Sequence, residues 1–141
     1  MATVTKTLGT TLVGLTLASA AHAGPARACV DESERLVGQR AVLAGKDIPA
    51  LHKVRDAAAE YPTRPGSSRV LSTIWIGEAL VDKTGTVREV WTVRPLRFDP
   101  AWPEFEAAIP SAIRKWSYEP AVVDGAPAPA CVTVSVTINW K

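Results

Sequence analysis

The chain is 141 residues long, 47% hydrophobic and 21% charged, which supports a single domain with one core. Its 16 basic and 14 acidic residues leave a formal charge of +2; without Lys6, the one charge of the N-terminal apolar region, the balance is 15 against 14. So even a balance excludes a charge-driven nucleic-acid binder and gives no ground for an acidic membrane surface as a partner.

Lys6 precedes an apolar run from Leu8 to Ala20, which closes on Ala21-His22-Ala23. That is the layout of a signal peptide with a small-residue cleavage site. The run is shorter than the roughly 20 apolar residues of an ordinary membrane span. Residues 1–23 are therefore expected to be a cleaved export signal, with an uncleaved membrane anchor as the alternative. Cys29 and Cys131 both fall in the exported part, and an even count in an oxidising compartment favours a disulfide between them over two separate thiols. A metal site is not expected, because His52 is the only histidine left after cleavage and four ligands are usual.

Asp31 to Val37 carries a weak helical pattern, and a strand is expected between Gly38 and Gly45. From Leu51 to Ala59 local propensity suggests a helix. Tyr61-Pro62 requires extended chain before the proline, and Pro65-Gly66-Ser67-Ser68 reads as a loop. Arg69 to Val81 is a strand pattern, with Val70, Ile74, Ile76 and Leu80 on one face and Trp75, Ala79 and Val81 on the other. Asp82-Lys83-Thr84-Gly85 predicts a tight hairpin with Gly85 in the left-handed conformation. In the return strand Val87, Val90, Trp91 and Val93 break alternation once, which predicts a bulge. Pro95 to Trp102 is expected to be a loop.

Pro103 to Trp116 predicts the main helix. Phe105, Ala108, Ile109, Ala112, Ile113 and Trp116 form one apolar stripe, with Trp102 just ahead of it. Glu104 and Glu106 in the first turn and Arg114 and Lys115 in the last suit the helix dipole, and Pro103 suits the first helical position. Pro110 lies on the polar side and predicts a bend convex toward solvent. After Asp124-Gly125 the period changes: Val132, Val134, Val136, Ile138 and Trp140 alternate with Thr133, Ser135, Thr137 and Asn139, the pattern of a strand with one covered and one wet face. The helix must lie across a sheet that contains this last strand.

Catalytic constellations are not evident. His52 stands beside Lys53 with no nucleophile spaced for it, the Glu104 and Glu106 pair is explained by the helix start, and no glycine-rich loop opens a helix to cradle a phosphate. A non-catalytic protein without a cofactor is expected. Of the five tryptophans, Trp102, Trp116 and Trp140 fit covered faces, whereas Trp75 and Trp91 leave room for one surface anchor.

The run Arg114-Lys115-Trp116-Ser117-Tyr118-Glu119-Pro120 behind an amphipathic helix, then Asp124-Gly125-Ala126-Pro127 and an alternating final strand, resembles the C-terminal domain of the TonB family of energy transducers. Tyr61-Pro62, the Gly85 hairpin and a lead-in from Val42 to Ile48, with Lys53 and Asp56, stand in the order of that family. The family motif here is thus Tyr61, Pro62, Gly85, Trp116, Tyr118, Pro120 and Gly125, within a domain from 42 to 141 preceded by a lead-in from 24 to 41. Ser72 and Pro110 depart from the pattern, and no long proline-rich spacer precedes Val42.

The resemblance implies an α+β fold: a small antiparallel sheet of three to four strands with one main helix packed across it. It makes 51 to 59 extended rather than helical. It also implies a periplasmic location, or an inner-membrane anchor facing the periplasm, and a C-terminal strand that binds the TonB-box peptide of an outer-membrane transporter. That strand edge is carried by Val132, Thr133, Val134, Ser135, Val136, Thr137 and Ile138. Two alternatives stand beside it: a structural protein that homodimerises through the same edge, and an edge covered by the N-terminal segment that Cys29 staples against it.

Overall fold

The computed structural model describes residues 28–63 and 69–139. The expected export signal, the loop at 65–68 and Trp140 lie outside them.

The first element, α1 (Ala28–Val37), has Asp31 in its first turn and Arg35 in its last, and ends at Gly38, whose φ of 74° lets its N–H reach the Glu34 carbonyl at 2.9 Å. Ser33, fully buried, donates to the Val30 carbonyl at 2.7 Å and accepts the Ala41 N–H at 2.8 Å. That hydroxyl turns the chain into β1 (Val42–Leu43). Beyond a turn at Gly45 comes β2 (Lys53–Arg55), within a segment that is extended as the resemblance implied and not helical.

The strand pattern from Arg69 to Val81 divides at Thr73 into β3 (Arg69–Ser72) and β4 (Ile74–Val81). The hairpin at 82–85 forms as expected, with Gly85 at φ 86° and the Asp82 carboxylate accepting from the Thr84 and Thr86 N–H groups at 2.9 and 3.1 Å. The return strand β5 (Val87–Arg94) bulges twice against β4, not once, between Leu80 and Val81 and between Ile76 and Gly77. The expected loop after it contains a fourth strand of this hairpin system, β6 (Arg97–Asp99), paired with β3. The long hairpin thus bends at Thr73 and Pro95, because Val70 and Phe98 turn inward to pack on the main core.

The single main helix of the sequence reading is two: α2 (Pro103–Glu106) and α3 (Ala108–Ile113), meeting at Ala107. Pro110 is the reason. It cannot donate to the Glu106 carbonyl, so the chain restarts and places Pro110 in the first turn of α3, where no donor is required. The stripe survives the break, with Phe105, Ile109 and Ile113 all buried. After it come β7 (Ser117–Tyr118), paired with β2, the ribbon of β8 (Ala121–Val123) and β9 (Ala126–Ala128) around Asp124-Gly125, both at positive φ, and β10 (Ala130–Thr137).

The central sheet has the order β1-β10-β4-β5. It is mixed rather than purely antiparallel, since β1 runs parallel to β10, and three two-stranded ribbons flank it. One face carries the main core: Trp75, Ala79, Val90 and Val134 from the sheet against Phe105, Ile109 and Ile113 of the helices. Gly77 makes room for the Trp75 indole, because a Cβ there would run into the ring and the Trp91 carbonyl oxygen. The other face is covered at one end only, where α1 packs Cys29 and Val30 on Leu80 and Cys131, with Trp91 beside them. Neither Trp75 nor Trp91 stands out as a surface anchor: Trp75 is buried and Trp91 is packed under α1.

Cys29 and Cys131 form a disulfide across a sequence separation of 102 residues. A loop that long is worth up to about 4.7 kcal/mol on chain-entropy grounds. It fastens a ten-residue helix whose apolar contact is small.

Candidate functional site

The site is the side of β10 that faces away from β4. Alternation along a strand sends successive backbone groups to opposite sides. The Val42 and Ala44 N–H groups bond the Pro129 and Cys131 carbonyls at 3.1 and 3.0 Å, so odd-numbered residues of β10 face β1. The Ile138 N–H bonds Thr73 at 2.8 Å on the opposite side, in line with even-numbered residues facing β4. Val132, Val134 and Val136 therefore spend their backbone groups on the ladder to β4. Thr133, Ser135 and Thr137 direct theirs outward. Among the described residues, no strand pairs with these three on that side.

What closes the upper end of this edge is β1. Its pairing stops at Leu43↔Cys131, and the chain then leaves in a turn with Gly45 at φ 79° and the Asp47 carboxylate accepting the Leu43 N–H at 2.9 Å. Among the described residues, β1 covers the edge at Ala130 and Cys131 and no further, and the disulfide fastens α1 over the sheet face instead of along the rest of the edge.

Beside the open stretch lies a groove of about 460 Å³. Val132 and Val134 line it from the strand, Leu51, Lys53, Trp116 and Tyr118 from the opposite wall, and Ala44 and Gly45 at its closed end. The far wall is rigidly made. The Trp116 indole N–H donates to the Ala57 carbonyl at 2.8 Å, and the Lys53 ammonium lies 3.8 Å from the Trp116 ring centroid while pairing with Asp56 at 3.2 Å. Tyr118 is buried, and that burial, with the Asp56 charge, pushes its hydroxyl above the usual tyrosine range. Its N–H donates to the Gly85 carbonyl at 2.8 Å, and any side chain at 85 would strike the Tyr118 carbonyl. The hairpin tip and the groove wall are locked together by that glycine.

The motif residues accordingly separate. Gly85, Trp116, Tyr118 and Pro120 gather at the groove wall and the hairpin tip. Tyr61 stacks on Phe105 of α2 at 4.5 Å, with Pro62 beside it in sequence. Gly125 makes the β8–β9 turn at φ 78°. Leu51 completes the wall, and nothing in its sequence surroundings distinguishes it, since it stands in an irregular segment placed only by tertiary contact. His52 is exposed and lends its carbonyl to the Glu119 N–H at 2.8 Å.

Among the described residues no three His, Cys, Asp or Glu side chains gather to hold a metal ion, and no helix is long and apolar enough to cross a membrane. No family model matches the chain, and neither a curated protein nor a solved structure matches it.

Proposed function

We propose that this chain is a non-catalytic binding module that takes an extended peptide as an added strand along Thr133 to Thr137. The observation that carries this reading is the row of outward N–H and C=O groups on Thr133, Ser135 and Thr137, which no strand among the described residues pairs, beside an apolar groove. An added strand gains its affinity from main-chain hydrogen bonds and its specificity from alternate side chains. Side chains on the core side of the guest would rest on Trp116, Leu51 and Val134; those on the other side would face the exposed hydroxyls of Thr133 and Ser135.

The motifs shared with TonB C-terminal domains make the TonB-box segment of an outer-membrane transporter the natural guest. The disulfide fits a chain exported to an oxidising compartment, and the periplasm is the one in which that guest is met.

The test is an amide titration of the isotopically labelled protein with a synthetic transporter peptide. The Thr133, Ser135 and Thr137 amides and the Trp116 indole N–H should shift together. Unchanged signals at these positions would overturn the reading. Shifts that depend on protein concentration alone, with a doubled mass in sedimentation, would assign the edge to a second copy instead.

A further inference from the structure

The end of the sheet that α1 leaves uncovered carries a second surface. At the bend of the long hairpin, Leu71 and Val93 are 52% and 54% exposed, Ile74 at the start of β4 is 37% exposed, and none of the three belongs to either core cluster. Leu71 and Val93 line one cleft of about 490 Å³ together with Arg94 and Arg97. Both arginines are exposed and neither has an ion-pair partner among the described residues, whereas the one acid of this ribbon, Asp99, is held by Arg69 at 3.3 Å. The near-neutral charge of the whole chain hides this local excess. Arg94 and Arg97 flank Pro95-Leu96 at the bend, and both line the cleft.

We infer that this bend is a docking surface for the anionic headgroup layer of a membrane. Guanidinium groups match phosphate oxygens in a bidentate fork, and aliphatic side chains beside them can enter the boundary between headgroups and acyl chains. An acidic peptide is the weaker fit. The ladders on either side are interrupted where the cleft lies, by the register shifts between Val70 and Ser72 and between Ile76 and Gly77, so a peptide finds no regular edge to extend. A headgroup layer needs no ladder. It needs positive charge and protruding apolar groups on one side, and those are present.

The experiment is co-sedimentation of the full chain with vesicles of phosphatidylcholine alone and of phosphatidylcholine mixed with phosphatidylglycerol. Binding should require the anionic lipid. The double variant Arg94→Glu/Arg97→Glu should weaken it by about thirty-fold or more, since each basic residue near such a surface contributes about fivefold. Leu71→Ser/Val93→Ser should weaken it less, and both variants should keep the near-ultraviolet tryptophan dichroism of the native fold. Equal binding to both vesicle types, no binding to either, or unchanged binding by the charge-reversed variant would each overturn the inference. So would capture of an acidic peptide that the same charge reversal abolishes while lipid binding persists. The peptide titration along β10 is independent of this result.

Discussion

Among the described residues, β5 and β10 each leave a stretch of rim of one sheet without a paired strand, and the two stretches are built in opposite ways. The rim of β5 is broken by two bulges and carries Arg88, Glu89 and Arg94, with Glu89 held by Arg114 at 3.0 Å. Those are the devices by which natural sheets prevent edge-to-edge pairing. The rim of β10 has none of them. Its ladder to β4 runs through eight successive pairs without a shift, and its outward residues are Thr133, Ser135 and Thr137, which carry no charge. An edge left flat and neutral beside a protected one is what the proposed strand addition requires.

The largest effect that can break this comparison separates two adjacent prolines. Val134→Pro removes an N–H committed to β4 and should cost about 3 kcal/mol or more, a large share of a small domain's stability and a marked drop in urea midpoint. Ser135→Pro removes an N–H that faces outward, so the fold should persist, while peptide affinity drops about tenfold or more. Urea midpoints and peptide titration read the two effects. Equal destabilisation by both variants would mean that the odd-numbered groups are not free.

A smaller effect tests the protected rim. Arg88→Val/Glu89→Val should raise self-association by roughly an order of magnitude in sedimentation, by removing the charges that guard β5. No change in mass with concentration would show that the bulges alone protect it.

The smallest is a pH effect confined to the β4–β5 side. Burial alone would raise the Asp82 pKa, but hydrogen bonds from Thr84 and Thr86 and the Arg88 charge outweigh it and leave it lowered. The Val90 N–H and Arg114 lower that of Glu89. A carboxylate with a lowered folded pKa stabilises the fold fully above the ordinary range near about pH 4, and the contribution is lost as pH falls through the lowered value. The thermal midpoint should therefore fall on acidification, and Asp82→Asn should flatten part of that fall, by about 1 kcal/mol or less. The outward groups of β10 include no titratable side chain, so the edge itself should be indifferent to the same change.

Much of the framework was legible because it depends on local rules. Alternation marked the last strand and both faces of β4. Asp82 and Gly85 marked the hairpin, and the two cysteines marked their own bond. Other features were not legible. Pro110 announced a disturbance, but whether a helix bends or restarts depends on how both halves of its stripe seat on the core. Arg97 and Phe98 read as loop because a three-residue strand exists only through its partner β3.

The candidate site divides along the same line. That β10 would be a strand with valines on one side was determined by sequence alone, since period and side-chain chemistry are properties of the segment itself. Which of its backbone groups remain free was decided by the tertiary structure. Two residues of β1, a turn at Gly45 and a wall built from Leu51, Lys53, Trp116 and Tyr118 set the limits of the groove, and they meet β10 from positions far apart in the chain. Pairing across such distances is settled by packing and by the hydrogen bonds left over when each strand has found its neighbours, and no window of sequence contains that information.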